Sequence, residues 1–152
     1  MYKKILLAYD GSVEGRLALR EGALLSQTCK SEVFLLAVID MTAGAMLGEG
    51  AVPGMVLQQR EAYEDILDEG VRRLKLLGFE PEARLGFGDP GEQIRTVARE
   101  IGADLVVVGH RRQGPLARWW RGSVGAYLMD HLQCSLLVGR LEVGDEIFPE
   151  KP

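Results

Sequence analysis

Two cysteines in 152 residues, Cys29 and Cys134, are too few and too far apart for a disulfide framework, and no CxxC or zinc-type spacing surrounds either. Both read as reduced, buried thiols. Apolar runs are short, none near the ~20 residues that cross a bilayer, and the opening MYKKILLAYDGS enters a strand and turn without a cleavable signal pattern. The expectation is a cytoplasmic chain with no membrane partner. Positive charge is not in excess either: 18 Lys and Arg against 22 Asp and Glu leave a net charge of −4, which argues against a general nucleic-acid binder. What remains is an ordinary globular composition, 47% hydrophobic and 26% charged, long enough for one domain with its own core.

Apolar stretches alternate between strand and helix character along the whole chain. Lys3 to Tyr9 reads as a strand, Asp10-Gly11-Ser12 as a turn, and residues 12–28 as a helix capped by Ser12, with an irregular inner face of Leu17, Leu19, Ala23, Leu24 and Leu25. Ser31 to Asp40 is a second, fully apolar-centred strand. A Gly-, Ala- and Met-rich stretch from Met41 to Met55 separates it from a long amphipathic helix, Gln58 to Leu77, that ends before Gly78. Residues 80–87 give a weaker strand, nearer an edge. Asp89-Pro90-Gly91-Glu92 is a capping box that opens a helix over 90–101, packing Ile94, Val97, Ala98 and Ile101. Leu105 to Val108 is a β-branched run that stops at Gly109, and a helix from Ser123 to His131 and a strand from Ser135 to Val138 follow.

This order predicts an α/β three-layer sandwich of the Rossmann-like kind: an open five-stranded, mainly parallel sheet with helices on both faces. Residues 1–140 form the domain, and residues 141–152 a tail without periodicity that is expected to wander over the surface or fray. Ligands in such sheets sit at the carboxyl ends of strands where the winding reverses, and Asp10, Val38, Gly88 and Gly109 fall at such ends.

The densest chemistry lies between the fourth strand and the last helix. His110, Arg111, Arg112, Arg118 and Arg121 share a loop with no acidic residue, and Gly122-Ser123 closes it at a helix start. Backbone N–H groups, a hydroxyl and the positive helix end suit a phosphate there. The alternative is a surface loop whose arginines are solvated and whose glycines turn the chain. Other features read as structural. Trp119 and Trp120 are adjacent, so one packs and one faces outward. His110 and His131 lack a third ligand. Glu61, Glu64, Asp65, Asp68 and Glu69, flanked by Arg60, Arg72, Arg73 and Lys75, read as a solvated helix face.

KKILLAYDGS, FLLAVID, Gly88-Asp89-Pro90, and VVVG followed by GSVG and Cys134-Ser135-Leu136-Leu137-Val138 together resemble the universal stress proteins, from about Lys3 to Gly139. In that family's nucleotide-binding branch the fourth strand leads into glycine, two residues, glycine, nine residues, then glycine with Ser or Thr. Gly109 and Gly122-Ser123 match the ends of this pattern. Arg112 stands at the middle position, and Gly114-Pro115 comes two residues late. A left-handed backbone at 112 would cost a non-glycine residue about 1–2 kcal/mol, whereas an Arg112 pointing along the loop could clamp phosphate oxygens. The resemblance implies ATP or another adenine nucleotide, with or without Mg²⁺, as ligand. Asp10 would then face the adenosine, Val38 would offer its main chain to the adenine edge, and Gly109 would admit the ribose. Gly122, Ser123 and Val124 would wrap the phosphates.

It also implies a homodimer through the last strand, Ser135–Val138, which would otherwise be an open edge. The function expected is a regulatory, stress-type nucleotide-binding protein; the alternative is a dimeric interaction protein of the same fold without a nucleotide. With no Walker-type lysine and no placed general base, chemistry is expected to be at most a slow ATPase. An adenylating enzyme would need a Ser- and Gly-rich loop after the first strand, where only Asp10-Gly11-Ser12-Val13 stands.

Overall fold

The structure is a computed structural model that describes residues 1–40, 53–110 and 124–144. Strands β1 (Lys4–Ala8), β2 (Glu32–Asp40), β3 (Glu82–Gly88), β4 (Leu105–Gly109) and β5 (Ser135–Gly139) alternate with helices α1 (Val13–Cys29), α2 (Pro53–Leu76), α3 (Pro90–Ile101) and α4 (Val124–His131). The sheet order is β3-β2-β1-β4-β5, and every pairing is parallel rather than mainly so. β3 lies on an edge, as its weaker pattern predicts, and β5 forms the other edge.

The strands have no polar alternation because helices cover both faces. Ile5, Leu7, Tyr9, Leu35 and Val107 point into one core with α1 and α2; Leu6, Ala8, Leu36, Val38, Val106 and Val108 point into the other with α3 and α4. Successive connections run outward from β1 to β2 to β3, then cross to β4 on the other side of β1. The winding therefore reverses between β1 and β4.

Local signals explain most of the element ends. Ser12 caps α1 by accepting from the Gly15 N–H at 2.9 Å, and Asp89 caps α3 by accepting from the Glu92 N–H at 3.0 Å, with Pro90 in the first turn. Most boundaries lie within one or two residues of the sequence reading, with β1, α1, β2 and α4 offset by one. α2 begins at Pro53, five residues before Gln58, because a proline suits the first helical position even though Gly54 next to it weakens the local pattern. β3 is shifted to Glu82–Gly88 and β5 is extended to Gly139.

The tail also departs from expectation in its first residues. Val143 is buried against the α1 side of the sheet and its carbonyl accepts from Arg20 Nε at 2.9 Å. The Glu21 carboxylate accepts from the Arg140 and Leu141 N–H groups at 2.8 and 3.1 Å. Residues 140–143 thus pack along α1 rather than fray.

Candidate functional site

At the carboxyl end of β1 the chain turns sharply. Gly11 adopts a left-handed φ of 79°, and the Asp10 Oδ1 accepts from both the N–H, at 2.9 Å, and the hydroxyl of Ser12. Asp10 therefore builds the turn that starts α1, the structural role open to it from its sequence context. It is half-buried, with its hydrogen bonds on one carboxylate oxygen.

Beside it lies the carboxyl-terminal stretch of β2, buried through Asp40. The last bond of the β1–β2 ladder runs from the Tyr9 N–H to the Leu36 carbonyl at 2.9 Å. In a parallel strand, residues two apart present their N–H and C=O to the same neighbour. Val38 thus turns its main chain towards β1 one step beyond that bond, where β1 has already given way to the Asp10 turn. Val38 is fully buried, its side chain on the opposite-helix core with Ile94 and Leu128, so the residue serves packing while its main chain is directed at the switch point.

Gly109 ends β4 on the other side of the same crevice. A Cβ built there would lie 2.7 Å from the Glu14 carbonyl oxygen and 2.9 Å from the Gly15 nitrogen. The missing side chain lets the first turn of α1 press against the end of β4. Gly139, its register partner on β5, does the same against Ala18 Cα at 2.7 Å. The glycines hold the amino end of α1, the positive end of its dipole, beside the point where the sheet winding reverses. A shallow hollow of about 190 Å³ lined by Glu14, Leu17, His110, Gly139 and Arg140 opens next to it.

The structure brings Asp10, Val38 and Gly109 to one end of the sheet. Val124 begins α4; Arg112, Gly122 and Ser123 lie outside the described residues, as do Trp119 and Trp120.

Two groups at this end carry no sequence signal of their own. Tyr63 on α2 is buried, and burial first, then the negative charges of Asp40 and Asp10, push its hydroxyl above the ordinary tyrosine range. Asp40, at the end of β2, is itself buried. Chain separation hid this grouping, since Tyr63 reads simply as one apolar position of an amphipathic helix.

Glu69 corrects the reading of the acidic helix face. Glu61, Glu64, Asp65 and Asp68 are exposed, but Glu69 is half-buried, and its Oε1 accepts from the Tyr9 hydroxyl at 3.1 Å and from Arg73 Nε at 2.7 Å. Arg16 Nη2 lies 3.1 Å from the same oxygen, and Arg16 Nε is buried without a hydrogen-bond partner. Burial acts to raise the Glu69 carboxyl, yet hydrogen bonds from Arg73 and Tyr9 and the charge of Arg16 outweigh it and hold the group below its ordinary range. This cluster ties α1 to α2 through Arg16 and Glu69.

A model of the universal stress protein family matches residues 1–140. A universal stress protein from Synechocystis is 32% identical over 150 residues, covering 90% of this chain and 97% of the relative. Among solved structures, a universal stress protein in complex with cAMP superposes with a TM-score of 0.67 at 21% identity, covering 91% of this chain and 97% of that one. A universal stress family protein from Arabidopsis thaliana with AMP bound gives 0.62 at 20% identity, covering 97% and 96%. At these identities the two structures speak for the fold alone.

Proposed function

Because this chain belongs to the universal stress protein family, we propose that it is a regulatory protein that holds ATP or another adenine nucleotide at the carboxyl ends of β1 and β4. The observation that supports this reading is the direction of the Val38 main chain, which turns towards the Asp10 turn one step beyond the bond from Tyr9 to Leu36, although the residue itself is fully buried. An N–H and a C=O side by side match the acceptor and donor on an adenine edge. Asp10 would take a ribose or base hydroxyl or amine, and Gly109 would keep the crevice floor flat. Gly122, Ser123 and Val124 would bind the phosphates, with Arg112 adding a guanidinium and Mg²⁺ accompanying the nucleotide. The family structures with cAMP and AMP bound support the ligand class. The protein would act in the cytoplasm, and among the described residues no helix is long and apolar enough to cross a membrane.

A second reading rests on Arg112, which stands where the nucleotide-binding branch has glycine, and on β5. That strand is an open edge whose Leu136, Leu137 and Val138 are only half-buried. Here the chain would be a dimeric interaction protein without a nucleotide. Pairing of Ser135–Val138 with a second copy belongs to both readings.

The test is mass spectrometry of small molecules released on denaturation, with melting curves in the presence and absence of about 1 mM Mg-ATP. A dissociation constant of about 10 μM adds about 2.7 kcal/mol and raises the melting temperature by about 5–10 °C. Co-purified adenine nucleotide or that shift supports the first reading; neither, with a dimer in solution, leaves the second.

A further inference from the structure

The opposite end of the sheet holds a larger and chemically different hollow. A cleft of about 260 Å³ opens where the chain enters β4 and β5, between the carboxyl-terminal ends of α3 and α4. Arg95 and Arg99, one turn apart on α3, form one wall, His131 at the end of α4 the other, and Ala98, Ala103, Leu132 and Cys134 the apolar floor. Among the described residues, no acidic side chain lines it.

Arg95 and His131 are held in place. Arg95 Nη1 donates to the Tyr127 hydroxyl at 3.3 Å, the Tyr127 ring stacks on the His131 ring at 4.1 Å between centroids, and His131 Nδ1 lies 2.9 Å from the Tyr127 carbonyl oxygen. Gly91 makes room for that tyrosine, since a Cβ there would fall 2.9 Å from the ring. Elsewhere Arg16, Arg60, Arg73 and Arg84 each meet a carboxylate within 3.1 Å. Arg95 and Arg99 meet none among the described residues, although two cations at this spacing repel along a helix. The nearby Asp104 spends its carboxylate on the Lys3 and Lys4 N–H groups at 2.7 and 2.9 Å. The negative end of α3 accounts for a cation in its last turn, Arg99. It does not account for Arg95 and His131 converging on the same hollow.

We propose that this cleft is a binding site for a small phosphate-bearing molecule, gripped by Arg95 and Arg99 with the His131 ring opposite and its uncharged part against Ala98, Ala103 and Leu132. A guanidinium pair without acidic partners matches the oxygens of a phosphate, and the apolar floor leaves room for a short organic group. The site is independent of the nucleotide reading, because it lies at the amino ends of β4 and β5 rather than their carboxyl ends.

The experiment is an amide-resolved NMR titration of the whole protein with inorganic phosphate and, separately, with ribose 5-phosphate, at constant ionic strength kept with chloride. Saturable shifts are expected at Gly102, Ala103, Gln133 and Cys134, with those at Val38 and Gly109 reporting the other site. Arg99→Gln, an exposed residue with no structural bond to lose, should weaken binding about five- to ten-fold, and Arg95→Gln with Arg99→Gln should abolish saturation. Arg72→Gln on α2 should match the wild type. Tighter binding of ribose 5-phosphate assigns the cleft to an organic phosphate, and equal binding assigns it to free phosphate. Absence of saturable shifts at those four amides, or unchanged binding in Arg99→Gln, overturns the proposal.

Discussion

The two helical layers hold the same sheet by opposite means. α3 lays Ile94, Val97, Ala98 and Ile101 onto β2 and β1, so side chains fill the gap between helix and sheet. α1 approaches the ends of β4 and β5 backbone to backbone: Glu14 and Gly15 lie against Gly109 and Ala18 against Gly139, while Gly22 meets the Leu7 and Val107 side chains. The first arrangement gains stability from apolar area, while the second gains position. It sets the amino end of α1 against the end of β4, which is where the crevice between β1 and β4 opens. Side-chain packing tolerates small losses by leaving a cavity; backbone-on-backbone packing has no slack for an added atom.

Substitutions in opposite directions separate the two. Ile94→Ala empties a fully buried position of the α3 layer and is expected to cost about 2–5 kcal/mol in chemical denaturation, the largest effect foreseen here. Gly109→Ala adds one methyl 2.7 Å from the Glu14 carbonyl and should cost about 1–3 kcal/mol, with the amides of residues 12–16 shifting in NMR spectra as α1 moves off β4. Gly22→Ala sharpens the contrast. Its methyl meets the tip of the Leu7 side chain at 2.4 Å rather than backbone, and Ala gains up to about 1 kcal/mol of helix propensity, so its net cost should fall below that of Gly109→Ala. Equal costs for the two glycine variants would show that α1 is not positioned by backbone contact.

The same difference decides what could be read before the structure. α3 was legible to the residue at both ends, over 90–101, because capping box, proline and apolar period all agree, and the structure adds Gly102 as its left-handed C-cap. α1 was legible as a helix, but its inner face looked irregular, since glycines and alanines carry little hydrophobicity and leave a weak period. Asp10 as a turn former followed from Asp-Gly-Ser itself. The reason for Gly109 did not: the resemblance assigns its bareness to a ribose, and the structure adds the α1 backbone as a contact that needs it. Glu69 was misread because the partner that buries it, Tyr9, is 60 residues away in sequence, and no local pattern distinguishes it from the exposed acids on the same helix.

Glu69 supplies the smallest and most specific test, because it fastens α1 to α2 by charge where the sheet contacts fasten it by shape. Its carboxyl titrates below the ordinary value in the folded protein, despite burial, through Arg73, Tyr9 and Arg16. A depressed folded pKa means that its stabilising effect is complete above the unfolded value of about 4.3 and is lost as pH falls through the folded value. Stability of the wild type should therefore decline more steeply below about pH 4.5 than that of Glu69→Gln. At neutral pH the variant should be less stable by about 0.5–1.5 kcal/mol, since the amide keeps one acceptor oxygen but loses the ionic part of three contacts. Parallel curves for the two proteins across that acid range would mean that the carboxylate is not held by these partners. The junction of α1 with α2 would then rest, like its junction with β4, on packing alone.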